Sequence, residues 1–172
     1  MNVAPIEAPV LTTGRLLLRM LQEADFEDYA AIHMDEEVTR FTARTHLNRM
    51  ESWRHMAMIV GHWHLCGFGM WGVFEKDTGR LAGRVGFHQP DGWPDFELGW
   101  TIGRAFWGRG YAPEAAARCL EFAFDEMKRE HVISLIDPLN VSSIRVAEKI
   151  GESLEGEVDV GEHRLLMYGK RR

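Results

Sequence analysis

The spacing of hydrophobic residues changes several times along the chain, and each change predicts a new element. After a loose leader of residues 1–10, the stretch LTTGRLLLRML, which a polar turn bounds, predicts a strand with Leu16, Leu18 and Met20 on one side. Residues 23–34 then place apolar side chains at helical spacing, which predicts a first helix. Asn48, followed by Glu51 three residues later, has the pattern of a capping box and predicts the start of a second helix.

The middle of the chain reads as three antiparallel strands. The segments GMWGVFE, LAGRVGFH and FELGWTI have a period of two, and a KDTG turn and a PDGWPD loop separate them. In the third segment Phe96, Leu98 and Trp100 share one face. Glu97 interrupts the apolar run on the opposite face.

The C-terminal part continues with helix, strand, helix and two further strands. Residues 111–129 carry an apolar stripe, HVISLID reads as a strand, and VSSIRVAEKIG reads as a short helix closed by Gly151. Two strands are expected near 153–160 and 163–169. The order β-α-α-β-β-β-α-β-α-β-β predicts an α/β fold with a mixed, mostly antiparallel sheet flanked by helices. The 172 residues are expected to form a single domain.

A glycine-rich turn lies where the third strand of the hairpins gives way to the long helix. Gly108 and Gly110 can adopt backbone angles that let successive N–H groups point at one position. Pro113 fits the first turn of a helix, and the helix adds its positive N-terminal end. The segment therefore predicts a site for a phosphate or a pyrophosphate.

Composition and charge narrow the classes of function. The net charge of −6 disfavours nucleic acid as a partner and weakly favours a cationic substrate. The two cysteines, Cys66 and Cys119, show no spacing of a disulfide framework, which favours a reducing, cytoplasmic location. The first residues lack the pattern of a secretory signal, and no segment approaches membrane-spanning length. A homodimer stays open, because nothing in the sequence fixes the oligomeric state.

Two other interpretations of the motifs can be weighed at this point. His62, His64 and Cys66 stand at every second residue and would lie together on a strand, as zinc ligands do. The segment lies at a predicted helix end and lacks a fourth ligand, so we expect no metal site.

The glycine turn also resembles the G-x-G-x-x-G motif of dinucleotide-binding oxidoreductases, with Asp137 as the acid that ends the next strand. Pro113 takes the place of the third glycine, and the preceding strands form hairpins instead of βαβ units. An NAD-dependent oxidoreductase is therefore the less favoured interpretation.

Two distant motifs resemble those of the GNAT superfamily of N-acetyltransferases, nearest to the group that acetylates N-terminal alanines of ribosomal proteins. GWTIGRAFWGRGYAPEA is similar to the family's pyrophosphate signature, with Trp107 in the Gln/Arg place, Gly110 in the fourth place and Ala112 in the sixth. NVSSIRVAEKIGE is similar to the second motif and departs from it at Glu152, where Phe is usual. The resemblance covers almost the entire chain and implies the GNAT fold.

The resemblance also implies acetyl-CoA as co-substrate. In this family two neighbouring strands, here those ending near Ile102 and near Asp137, splay apart and admit the cofactor's pantetheine arm. The residues that the resemblance assigns to acetyl-CoA are Trp100, Thr101, Ile102, Trp107, Gly108, Arg109, Gly110, Tyr111, Ala112, Asn140 and Ser143.

The chemistry requires a base for the amine and an acid for the leaving thiolate. The resemblance implies Glu97 as the base, acting through a water, and the alternative is a solvated strand carboxylate. Ala147 occupies the place of the usual tyrosine acid, so the resemblance implies Ser143 as the acid, and the alternative is a plain helix-terminus serine. For Asn140 the resemblance implies a cofactor contact, the alternative is the role of N-cap, and the two roles can coexist.

The implied reaction is direct acetyl transfer in a ternary complex to a primary amine, either a protein N-terminus or a small molecule. Neither motif contains a cysteine, so no acyl-enzyme is expected. A non-catalytic module that binds acyl-CoA is the alternative, because the tyrosine is missing. The sequence leaves the identity of the acceptor open.

Overall fold

The computed structural model describes residues 8–42 and 46–172, and this part of the chain forms a mixed sheet with helices on both faces. The strands are β1 (Leu11–Thr12), β2 (Leu16–Arg19), β3 (Met70–Glu75), β4 (Leu81–His88), β5 (Glu97–Ile102), β6 (His131–Ile136), β7 (Ser153–Val160) and β8 (His163–Arg171). The helices are α1 (Phe26–His33), α2 (Glu36–Thr39), α3 (Arg49–Cys66), α4 (Tyr111–Asp125) and α5 (Val141–Lys149).

The sheet has the order β1-β2-β3-β4-β5-β6-β8-β7. Neighbouring strands are antiparallel except for β5 and β6, which α4 connects as a parallel pair. The predicted fold class and the mostly antiparallel character of the sheet are confirmed. The antiparallel β3, β4 and β5 come from the three segments in which the hydrophobic period is two.

The structure differs from the predicted elements in three places. The first strand is divided into β1 and β2, because the chain turns back at residues 13–15, where the Thr13 N–H donates to the Leu16 carbonyl at 3.0 Å. The short helix α2 was not predicted, and the Asp35 side chain caps it. Helix α4 ends at Asp125 instead of Arg129, and Lys128 takes a left-handed conformation with φ 55°.

Three hydrophobic clusters of the described residues hold the helices to the sheet, and the smallest packs Ala147 of α5 against Ile136 and Tyr168. One of the two larger clusters packs α4 against the face of the sheet that carries Leu16, Leu18 and Leu98. The other packs α1 and α3 against the opposite face, where Tyr29 and Met56 are buried. Successive side chains of β2 enter the two larger clusters in turn, because neighbouring residues of a strand point to opposite faces of the sheet.

Strands β5 and β6 diverge soon after they meet. Their ladder contains the single register pair Glu97–Ile133, with the Ile133 N–H donating to the Phe96 carbonyl at 3.0 Å. One residue further on, the Ser134 hydroxyl donates to the Leu98 carbonyl at 2.8 Å. Beyond this point the β5 edge that faces β6 has no ladder partner among the described residues, and a cleft opens between the carboxyl ends of the two strands.

Candidate active site

Two adjoining cavities lie at the divergence of β5 and β6. The large cavity has a volume of about 560 Å³ and is lined by the end of β5, the glycine turn and the start of α5. The small cavity has a volume of about 240 Å³ and lies between the sheet and α3. Both cavities are lined by Trp100, Asn140 and Ser143, so these residues mark the place where the two spaces meet.

The glycine turn forms one end of the large cavity. Gly108 and Gly110 have φ values of 74° and 78°, which a residue with a side chain rarely adopts, and Gly110 is the N-cap of α4. Among the described residues, none accepts a hydrogen bond from the backbone N–H groups of residues 108–110. Unpartnered N–H groups beside a helix N-terminus form a binding place for an anion.

Hydrogen bonds from side chains of the glycine turn fix its position. The Trp107 indole N–H donates to the Ile102 carbonyl at 2.6 Å, which ties the turn to the end of β5. The Arg109 guanidinium donates to Glu75 at 2.9 Å, and the Tyr111 hydroxyl donates to the same carboxylate oxygen at 2.5 Å. Arg109 does not line the large cavity, whereas Trp107 and Tyr111 do.

Glu75 is a buried anchor of this turn that the sequence analysis missed. It is the last residue of β3, and the hydroxyls of Thr78 and Tyr111 hold the pKa of its carboxyl below the usual range. A second anchor is Arg15, which donates to the Arg109 carbonyl at 2.9 Å and to Glu114 at 2.7 Å. In the sequence both residues appear only as polar positions in or beside strands. The sequence pattern does not indicate which residue either of them contacts.

The end of β5 forms one wall of the large cavity. Trp100, Thr101 and Ile102 line it, together with Ala112 of α4 on the other side. The Trp100 indole N–H reaches across the divergence and donates to the Ser143 hydroxyl oxygen at 3.2 Å. This bond connects β5 to α5 at the junction of the two cavities.

Asn140 and Ser143 lie at the N-terminus of α5. The Asn140 side-chain carbonyl accepts from the Ser143 N–H at 3.2 Å, so Asn140 is the N-cap. Ala147 lies one turn further along the same helix face and is fully buried against Ile136 and Tyr168. Of the two positions, Ser143 is the one that faces the cavities.

Glu97 lies in the small cavity at the point where β5 and β6 meet. Phe96 and Leu98 are buried on the opposite face of the strand, as the alternation predicts. The Trp93 indole N–H donates to the Glu97 carboxylate at 2.7 Å. Burial raises the pKa of Glu97 to about 7, against the hydrogen bonds from Trp93 and the Leu135 backbone, which lower it. The carboxyl therefore titrates near neutral pH.

The remainder of the small cavity is rich in basic side chains. His88 stands directly opposite Glu97 in the β4–β5 register, and His55 and Arg84 also line the space. Burial lowers the pKa of His55 to about 3 and that of His88 to about 4, so both imidazoles are neutral at pH 7. The sequence analysis missed His55 and Arg84, since each is one polar residue within an element assigned by its apolar pattern.

The structure removes the geometric basis of the zinc interpretation. His62, His64 and Cys66 lie on the helix α3, where residues two apart point to different sides. His62 is buried with its Nδ1 at 2.8 Å from the Phe68 carbonyl oxygen, whereas Cys66 is exposed. Within residues 8–42 and 46–172 no group of three or more His, Cys, Asp or Glu could hold a metal ion.

No helix in this part of the chain is long and apolar enough to cross a membrane.

The topology argues against the dinucleotide-binding interpretation. That fold is built on a parallel sheet, whereas here the β5–β6 pair alone is parallel within the described sheet and shares a single register pair. The strands before the glycine turn are antiparallel hairpins, as the sequence predicted.

Comparison with known proteins agrees with this geometry. Residues 15–152 match the family model described as the acetyltransferase (GNAT) domain. The Bacillus subtilis protein "Uncharacterized N-acetyltransferase YnaD" is 30% identical over 149 residues, which cover 85% of this chain and 84% of YnaD.

Solved structures show the same architecture. An acetyltransferase from Agrobacterium tumefaciens superimposes with a TM-score of 0.87 at 28% identity, covering 100% of this chain and 99% of its own. The ribosomal L7/L12 α-N-protein acetyltransferase RimL, solved in complex with coenzyme A, superimposes with a TM-score of 0.78 over 95% of this chain and 98% of its own. At 15% identity the likeness to RimL concerns the fold.

Proposed function

The chain belongs to the GNAT acetyltransferase family, and from that premise we propose that it transfers an acetyl group from acetyl-CoA directly to a primary amine bound in the small cavity. It is an acetyl-CoA-dependent N-acetyltransferase, so the proposal concerns where the amine binds and which residues move protons. The observation that carries it is the position of Glu97, a carboxyl that titrates near neutral pH and lines the small cavity, which adjoins the large one.

The residues of the large cavity fit acetyl-CoA. The unpartnered N–H groups of residues 108–110 and the positive end of α4 suit the pyrophosphate. The β5 edge beyond Glu97 has no ladder partner, so its backbone groups near Trp100–Ile102 are available to the amides of the pantetheine arm. When bound, acetyl-CoA supplies a thioester carbonyl that an uncharged amine attacks.

Glu97 is proposed to take the proton of the amine, directly or through a water. A carboxyl with a pKa of about 7 is substantially ionised at pH 7 to 8 and is then a stronger base than an ordinary glutamate. The Trp93 indole fixes its orientation. General base catalysis of this kind contributes roughly 10²- to 10⁴-fold in rate.

Ser143 is proposed to give a proton to the departing sulfur. Its oxygen already accepts from the Trp100 indole, so its own O–H can donate toward the junction of the cavities. A nitrogen–carbon bond forms and a carbon–sulfur bond breaks, while one proton goes from the amine to Glu97 and another from Ser143 to sulfur. Solvent water then restores the proton of Ser143.

Cys119 is buried in the core and Cys66 is exposed at the end of α3, so neither cysteine lines the two cavities. This supports direct transfer to the amine without an acyl-enzyme.

The test is thiol release from acetyl-CoA with a panel of amines, measured against pH for the wild type, Glu97→Gln and Glu121→Gln. The wild type should show an acidic limb in kcat/KM near pH 7, in addition to any limb from the amine itself. Glu97→Gln should lose about 10²-fold or more at pH 7.5 and lose that limb. Glu121 is exposed on α4, so its variant should behave as the wild type. An unchanged rate and limb in Glu97→Gln would contradict the proposed base.

A further inference from the structure

The small cavity contains a buried cation that the proposed proton transfers do not use. Arg84 lies in β4, directly opposite Thr101 of β5, and its residue is 8% exposed. The Arg84 Nη1 lies 2.5 Å from the sulfur of Met70, which is a weak acceptor. Its Nε has no hydrogen-bond partner among the described residues, and the side chain lines the cavity.

The side chains around Arg84 do not neutralise its charge. The Tyr29 hydroxyl lies 2.9 Å from His55 Nδ1, and the charge of Arg84 acts on the pKa of Tyr29. Burial raises the pKa of Tyr29 to about 12, and burial together with the charge of Arg84 lowers the pKa of His33 to about 4. His55 and His88 are neutral as well, and Glu97, whose pKa the charge of Arg84 lowers, is only about half ionised at pH 7, so it does not fully offset that charge.

The buried charge of Arg84, which has no ion-pair partner among the described residues, opposes folding. A buried guanidinium that lacks a carboxylate partner loses its hydration without a compensating ion pair. Among the described residues the Arg84 Nε–H has no acceptor, and the side chain lines the small cavity. This unused donor indicates a polar group that arrives with a ligand.

The sheet leaves room for such a ligand between Arg84 and Glu97. On this face of β4 and β5 the pair Arg84–Thr101 and the pair His88–Glu97 are separated by the pair Gly86–Gly99. The glycines present no side chains, and Met70 covers part of the space above them. The two outer pairs are four residues apart, which is roughly 13 Å along a strand, and long side chains reach inward from both ends.

We infer that the acceptor is a small amine that also carries a carboxylate, as amino acids do, with its amino group at Glu97 and its carboxylate at Arg84. The inference rests on the proposed function, since it places the acceptor in the small cavity. The cavity offers a permanent cation and a carboxyl at separate positions, which is the complement of a zwitterion.

The size of the small cavity supports a small acceptor. Its volume of about 240 Å³ lies below the roughly 300–1,000 Å³ of pockets that hold drug-sized molecules. The net charge of −6 weakly favours a cationic acceptor for the chain as a whole, but Arg84 places a permanent cation inside the cavity, which Glu97 and Asp137 also line. Local charge decides recognition here, because a buried group is screened much less than the surface.

The experiment measures thiol release with amino acids of increasing chain length between amine and carboxylate, each compared with its carboxamide and its decarboxylated amine. The wild type should prefer the best carboxylate over its carboxamide by about 100-fold or more in kcat/KM, because a neutral analogue leaves the guanidinium unpaired. Arg84→Met should lose that preference, so that its kcat/KM for the carboxylate falls to about its value for the carboxamide. Arg84→Lys keeps the charge and should retain part of the preference.

Two controls separate recognition from folding. Arg80→Met changes an exposed arginine just before the same strand and should keep the full preference. Thermal unfolding and acetyl-CoA binding of Arg84→Met and Arg84→Lys show whether the fold and the large cavity are intact. The inference is overturned if the wild type uses carboxamides as well as carboxylates, or if folded Arg84→Met loses activity equally on both. If no amine of any class releases thiol, the proposed function itself fails, and that result is distinct from acetylation of uncharged amines alone.

Discussion

Glu152, which stands where the family usually has Phe, provides a stability prediction that can be worked from its contacts. It is 4% exposed, and its Oε1 lies 3.0 Å from the Ser134 hydroxyl oxygen. Ser134 has one proton, and the Leu98 carbonyl at 2.8 Å can only accept it. The bond between Glu152 and Ser134 therefore needs a proton on the carboxyl of Glu152.

The pKa of Glu152 agrees with this assignment and sets the magnitude. Burial raises it from 4.5 to about 8, against the charge of Lys170. The folded state then binds a proton that the unfolded state releases between pH 4.5 and 8. The stabilisation is fully present below pH 4.5 and is lost as the pH rises to about 8, on the order of 5 kcal/mol in all.

Glu152→Gln removes this titration, and its amide N–H can still donate to Ser134. The free energy of unfolding, measured by urea denaturation from pH 5 to 9, should be similar for variant and wild type at pH 5. At pH 8.5 the variant should be more stable by several kcal/mol. Glu97 contributes a slope of the same sign in both proteins, so the difference between them is the relevant quantity. Glu121→Gln is the matched surface control, and a pH-independent difference between Glu152→Gln and wild type would refute the reasoning.

Three further predictions concern the cavities. Ser143→Ala should lower kcat by about 10-fold or more with acetyl-CoA affinity nearly unchanged, as single-turnover and binding measurements would show; an unchanged kcat would exclude Ser143 as the acid. Gly108→Ala should weaken acetyl-CoA binding in calorimetry and cost about 1 kcal/mol of stability, because φ is 74° there; unchanged binding would contradict the anion site. Glu75→Gln should lower the melting temperature and weaken acetyl-CoA binding, since Arg109 and Tyr111 lose a charged partner; equal values for variant and wild type would show that the anchor is dispensable.

The fold was predictable because most elements have long, clear hydrophobic periods. The exceptions have local reasons. Helix α2 is a single turn at Glu36–Thr39, too short to show a period of its own. The apolar stripe of α4 continues to Met127, which packs against the core although the helix has already ended. The predicted helix was therefore too long, because buried apolar residues continue past the last residue of the observed helix.

The candidate site was predictable where one local motif contains it, as in the glycine turn. Glu97 was located by its interruption of an apolar strand, but its raised pKa depends on burial beside Trp93, which a local pattern does not show. Arg84 and Glu75 read in the sequence as ordinary polar residues of strands. Their importance comes from partners 14 to 36 positions away, such as Met70 and Tyr111, and these contacts exist only once the sheet is assembled.

The most direct test of the account is calorimetric titration of acetyl-CoA into the wild type, Glu97→Gln and Gly110→Trp, with circular dichroism to confirm that each is folded. The account predicts micromolar binding by the wild type and by Glu97→Gln, and loss of binding in Gly110→Trp, whose side chain would fill the end of the large cavity. Equal binding by all three proteins, or binding by none, would contradict the assignment of this cleft to acetyl-CoA.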